Sequence, residues 1–83
     1  MKIGELIIVE GKDDVSAVKT AVDAEVIATG GFGFNSALIE VIKGAVKRTG
    51  VIIFTDPDSA GNQIRRQLGS MVPGCKHAYL SQN

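Results

Sequence analysis

Two short apolar runs constrain this chain more than any other feature. Leu6-Ile7-Ile8-Val9 ends at Glu10-Gly11, and Val51-Ile52-Ile53-Phe54 ends at Thr55-Asp56-Pro57. Each has the length of a strand, is rich in β-branched residues and has no polar residue interleaved. An apolar run without alternation marks a strand buried on both faces, the pattern of a parallel sheet covered by helices. Ala24 to Ala28 (AEVIA) reads as a weaker third strand, and His77 to Leu80 (HAYL) as a fourth.

The segments between these runs carry helical periodicity. Val15, Val18 and Val22 form an i, i+3, i+7 stripe with Ala17 and Ala21 beside it, and Asp13 or Asp14 is available to cap the free amides. Leu38, Ile42 and Ala45, with Ile39 and Val46, mark a second helix, led in by Asn35 and Ser36 and stopped at Gly50. Ala60, Ile64 and Leu68 mark a third, with Arg65, Arg66 and Gln67 turned outward and Pro73-Gly74 ending the unit. The order β-α-β-α-β-α-β predicts a three-layer α/β domain. Its sheet is four-stranded and mainly parallel, with helices on both faces.

Length and composition set limits on function. At 83 residues the chain is one small domain, and 45% apolar with 22% charged residues makes it globular. No apolar run approaches the ~20 residues of a membrane span, so no membrane partner is expected. Lys2 followed by Glu5 and Glu10 does not read as a secretory signal. The lone Cys75 excludes an internal disulfide framework and an all-cysteine metal site, and a reducing, cytoplasmic setting fits it. No base is assignable to Cys75, so it is read as inert. His77 lacks a partner at metal-ligand spacing and is read as a strand-side histidine. Net charge is zero but divided: residues 1–42 hold three Lys against seven acids, and residues 43–83 hold six bases against two acids. A duplex binder acting alone normally carries a positive domain. A nucleic-acid role therefore needs grip from elsewhere in a longer protein. Ser81-Gln82-Asn83 reads as the start of a linker, so residues 1–83 are expected to be a fragment.

In an open parallel sheet, ligands bind beyond the carboxyl ends of the strands. Glu10 closes the first strand, and Asp56 and Asp58 follow the third. Each has an alternative reading: Glu10 as a surface acid, Asp56 as a turn residue, Asp58 as a helix cap. Together they suggest a cation site, because carboxylates gathered at one edge repel unless a cation holds them. Hard oxygen donors favour Mg²⁺, which keeps several waters and takes further ligands from phosphate; Mn²⁺ is a substitute. Lys12, at the start of the first helix, either meets a phosphate, neutralises the acid cluster or is a solvated lysine, and Arg48, Arg65 and Arg66 either touch a phosphate backbone or form a solvated face. Gly11 and Gly61 sit at strand-to-helix connections, where backbone approaches a ligand or packs tightly. Gly30-Gly31-Phe32-Gly33 either exposes amides to phosphate or is a flexible connection, and Phe32 and Phe34 are read mainly as packing residues.

Val9-Glu10-Gly11-Lys12-Asp13-Asp14, followed by Thr55-Asp56-Pro57-Asp58-Ser59-Ala60-Gly61, resembles the Toprim domain of topoisomerases, bacterial primases and small nucleases. The phrases Gly50 to Asp58 and Val72 to Ala78 look like the N-terminal domain of the ribonuclease M-five family. That resemblance implies Mg²⁺-dependent cleavage of double-stranded precursor 5S ribosomal RNA, aided by a ribosomal protein and by a C-terminal domain absent here. It implies acid–base or metal work for Glu10 and metal ligation for Asp56 and Asp58. It places Asp14 in the pattern that follows the glutamate. The loop Thr29 to Asn35 is more glycine-rich and aromatic than the family pattern.

Three alternatives compete. One is a Toprim module of a primase or topoisomerase, although the lone Tyr79, predicted in a strand, does not read as a tyrosine nucleophile. Another is a haloacid-dehalogenase-like phosphatase, with Asp56 as nucleophile and Asp58 as acid–base. That reading expects a hydroxyl residue where Ala60 stands and leaves Glu10-Gly11 unexplained. The third is a domain that binds or folds but does not turn over alone.

Overall fold

The two apolar runs are the central strands. In a computed structural model the described residues are 1–30, 35–56 and 58–79, with Ser59 described in its backbone only. Expectations on Gly31, Phe32, Gly33, Phe34, Pro57 and residues 80–83 lie outside the described residues. The elements run β1 (Leu6–Val9), α1 (Lys12–Ala21), β2 (Val26–Ala28), α2 (Ser36–Arg48), β3 (Val51–Thr55), α3 (Ser59–Met71) and β4 (Lys76–Tyr79). The strands form one sheet in the order β2-β1-β3-β4, parallel throughout. Among the described residues no helix is long and apolar enough to cross a membrane.

Alternation along β1 divides the core between two faces. Leu6 and Ile8 join Ile42 and Ala45 of α2 and Ile64 and Leu68 of α3, together with Val51 and Ile53. Ile7 and Val9 join Val18 of α1 on the other face. Ile8, Ile42, Ile53, Ile64 and Leu68 are completely buried, and each such side chain contributes roughly 1.5–3 kcal/mol. Helices thus cover both faces, as expected, with two on one side and one on the other.

Local chemistry sets the helix ends. The Gly11 N–H donates to Asp14 Oδ2 at 3.1 Å at the start of α1. The Leu38 N–H donates to Asn35 Oδ1 at 2.8 Å at the start of α2. Past the end of α2, Gly50 takes φ +95°, and its N–H donates to the Ala45 carbonyl at 2.7 Å. That left-handed turn is the glycine stop expected from the sequence.

Two strands differ from expectation at their starts. β2 begins at Val26 rather than Ala24, although the Glu25 carbonyl still accepts from the Ile7 N–H at 2.9 Å. β4 begins one residue early, at Lys76, which pairs in register with Ile52. The Lys76 ammonium reaches Glu5 at 3.1 Å, so a charged residue can open this strand.

Candidate functional site

β1 and β3 are hydrogen-bonded neighbours, with Leu6 opposite Val51, Ile7 opposite Ile52 and Ile8 opposite Ile53. Glu10 and Asp56 therefore follow the ends of adjacent strands that point the same way. The edge is tied to the next loop through backbone: the Thr29 N–H donates to Val9 and the Gly30 N–H to Glu10, both at 2.9 Å. Glu10 is half-buried, whereas Asp56 and Asp58 are exposed. Asp58 caps α3, its Oδ1 accepting from the Gly61 N–H at 2.8 Å. The helix-cap alternative for Asp58 is thus realised, and its second carboxylate oxygen is not used by that bond. Among the described residues no group of three or more His, Cys, Asp or Glu side chains is placed to hold a metal ion. The donor chemistry nonetheless suits Mg²⁺, which commonly takes one or two carboxylates and fills its shell with water and phosphate oxygen.

All three helices start at this edge, since α1, α2 and α3 each leave the carboxyl side of the sheet. Their N-terminal dipoles favour negative charge there. Lys12, exposed in the first turn of α1, stands two residues beyond Glu10. Arg66 is exposed on α3. With Asn62, His77 and Tyr79 it lines an open depression of about 360 Å³. Arg48 lies in the last turn of α2, which leads into the start of β3. It therefore sits at the edge opposite the acids.

Arg65 corrects the sequence reading. It was expected to face outward and was a candidate phosphate contact, but it is only 5% exposed. Its Nη1 donates to the Ile53 carbonyl at 3.2 Å and to His77 Nδ1 at 3.0 Å. Its Nη2 donates to the Thr55 carbonyl at 3.2 Å and to the Ala78 carbonyl. The guanidinium stacks on Tyr79, 3.7 Å from the ring centre, and burial lowers its pKa from the ordinary value. Arg65 is a clasp joining α3 to β3 and β4, committed to the backbone rather than open to a phosphate. Gln67, also read as outward, is half-buried with Oε1 enclosed. The physical reason is the width of the buried stripe: Gly61, Ile64, Arg65, Leu68 and Val72 are all buried on one face of α3 and its continuation. Gly and Arg carry no hydrophobic signal, but the i, i+4, i+7, i+11 spacing of Gly61, Arg65, Leu68 and Val72 was there to be read.

Gly61 packs tightly, as one of its two sequence readings had it. A Cβ there would overlap the Asp56 backbone oxygen and lie 2.8 Å from Thr55 Oγ1. The start of α3 thus rests directly on the strand end that carries Asp56. His77 is a strand-side histidine held by Arg65, as expected. Burial pushes the Cys75 thiol pKa up, away from the thiolate, in keeping with an inert residue.

The sequence pattern of the Toprim domain matches residues 5–83, including both acid-bearing strand ends. The chain belongs to the Toprim family. This Toprim domain is 60% identical over 80 residues to Ribonuclease M5 of Clostridium botulinum, covering 96% of this chain and 44% of that protein. It is 49% identical over 83 residues to Ribonuclease M5 of Bacillus subtilis, covering all of this chain and 45% of that protein. A solved small Toprim domain protein from Bacillus stearothermophilus superposes with a TM-score of 0.76 at 28% identity, over 98% of this chain and 72% of that one. The Toprim domain is closely related to the N-terminal domain of ribonuclease M5 and spans less than half the length of these curated relatives. The phosphatase alternative, which left Glu10-Gly11 without a role, is set aside by a match that includes them.

Proposed function

We propose that this Toprim domain is the catalytic part of a Mg²⁺-dependent endoribonuclease that matures double-stranded precursor 5S ribosomal RNA in the cytoplasm. The observation that carries the reading is identity of 49–60% to two ribonucleases M5 along nearly the whole chain. The placement of Glu10 and Asp56 after adjacent parallel strands supports it.

Asp56 and Asp58 would hold Mg²⁺, with Glu10 as a further ligand or as the proton carrier. The bound ion supplies charge shielding of the phosphate's non-bridging oxygens. Glu10, when not a ligand, takes or returns a proton at the reacting oxygen. Lys12 offsets phosphate charge beside it, and the amides at the starts of α1 and α3 favour the same anion. Arg66 is the phosphate contact left on α3 once Arg65 is committed internally. With zero net charge, this domain relies on a C-terminal domain and an RNA-bound ribosomal protein for much of its grip.

Titration with Mn²⁺, followed by NMR, tests the metal site. Paramagnetic broadening is expected to centre on Asp56 and Asp58 and to fade in an Asp56→Asn, Asp58→Asn double variant. Broadening that persists unchanged in that variant would place the ion elsewhere.

A further inference from the structure

The depression between α3 and β4 holds groups that the acid edge does not use. Alternation along β4 puts His77 and Tyr79 on the face that meets Arg65 of α3 and Ala78 on the other. With Asn62, Arg65 and Arg66 they line about 360 Å³ of open space. Tyr79 is 54% exposed, although it is an aromatic residue in a strand. Its ring carries the Arg65 guanidinium, which is itself fixed to carbonyls of β3 and β4. The ring is thus held from one side while the rest of the side chain lines the depression. Polar groups surround it. His77 Nδ1 accepts from Arg65, so the ring proton sits on Nε2 as a donor. Asn62 offers a donor and an acceptor, and Arg66 an exposed positive charge. Among the described residues no carboxylate lines the depression.

Register sets this group beside the candidate site. Tyr79 pairs with Thr55, the residue before Asp56, so the two backbones are one strand spacing, about 4.8 Å, apart. Asn62 lies one turn along α3 from Asp58, its N–H donating to the Asp58 carbonyl at 2.9 Å. We infer that the depression seats an unpaired ribonucleotide next to the phosphate held at Asp56 and Asp58. The base stacks on Tyr79, Arg66 meets the phosphate, and Asn62 and His77 reach the base edge or the ribose. The base must be unpaired, because inside an A-form duplex both its faces are covered by its neighbours. On a largely double-stranded substrate the depression therefore selects cleavage beside a bulged, looped or splayed nucleotide. The inference takes its substrate from the nuclease reading.

NMR titration of residues 1–83 without divalent metal tests it. The probes are a short single-stranded oligoadenylate, a blunt RNA duplex and inorganic phosphate. The single strand should move the Tyr79 ring and the Asn62 and His77 side-chain signals. Tyr79→Leu should weaken its binding by about 5- to 100-fold, with Tyr79→Phe binding as wild type. Arg66→Ala should weaken it several-fold with the Tyr79 ring still shifted. Wild-type affinity in a folded Tyr79→Leu variant would overturn the inference. So would phosphate reproducing the same shifts at the same affinity, which would leave only an anion patch, or the duplex binding there as tightly as the single strand. No cleavage enters these measurements, so failure of the nuclease reading leaves them unchanged, and failure of the stacking site leaves the role of Glu10 unchanged.

Discussion

A single methyl group at position 61 would collide with the backbone of Asp56. Alanine is intrinsically better than glycine in a helix by about 1 kcal/mol, but the obstacle here is a backbone oxygen that cannot swing aside. Gly61→Ala should therefore destabilise the fold by roughly 1–3 kcal/mol, the usual cost of overpacking, measured by urea unfolding. A stabilised variant would show that the α3 start is free to move. Arg65 carries a different load. Arg65→Ala strips donors from the carbonyls of Ile53, Thr55 and Ala78 and should cost about 2–4 kcal/mol, with Arg66→Ala near neutral as the exposed control. Because arginine only donates, His77 Nδ1 must accept, so NMR should find the His77 proton on Nε2. The Glu5 carboxyl is held below its ordinary pKa chiefly by the hydrogen bond from Lys76. Its stabilising contribution is present above the unfolded-state pKa and is lost as pH falls through the lower folded value. Lys76→Met should remove that part of the acid dependence, and unchanged acid unfolding would show the pair to be idle.

At the scale of elements, Asp58 caps α3 and is proposed as a metal ligand, and substitution can separate the two. Asp58→Asn keeps an oxygen for the Gly61 amide and should leave stability nearly intact while weakening Mn²⁺ binding. Asp58→Ala loses the cap as well and should cost about 1 kcal/mol. Equal metal affinity in wild type and Asp58→Asn would leave Asp58 as a cap only. The elements themselves were largely legible. β1 and β3 announced themselves through unbroken β-branched runs, and α2 through Asn35 before its apolar stripe and Gly50 after it. What escaped was burial achieved by partnership rather than by hydrophobicity. Arg65 is interior because five backbone and ring contacts receive its guanidinium, and Lys76 opens β4 because Glu5 answers its charge. Neither partner is near in sequence, so no local pattern could reveal them. Of the candidate site only the edge was legible: acids closing two apolar strands point to one end of a parallel sheet, and β1 and β3 are adjacent and parallel. The site's internal geometry was not, because that depends on how Asp58 divides its oxygens between α3 and solvent.

The whole molecule combines an acidic first half with a basic second half at zero net charge. Phosphate neutralisation supplies much of nucleic-acid affinity, and with Arg65 buried the basic half offers less than its composition suggests. Residues 1–83 alone should bind precursor RNA weakly, and affinity in a gel shift equal to that of a full-length ribonuclease M5 at matched salt would contradict this. The proposed function places metal-dependent phosphodiester cleavage at the carboxyl edge of β1 and β3. Single-turnover cleavage of precursor 5S ribosomal RNA by a full-length ribonuclease M5 carrying this domain, wild type against Glu10→Gln across a Mg²⁺ and Mn²⁺ series, tests it most directly. Glutamine keeps the size of the side chain and removes its charge and its proton-carrying capacity. The rate should fall by roughly 10²–10⁴-fold with fold and RNA binding retained. Partial rescue at high metal would mark Glu10 as a ligand, and a loss independent of metal would mark it as the proton carrier. A Glu10→Gln enzyme that cuts at the wild-type rate throughout the series would remove the glutamate from the chemistry and contradict the site as drawn.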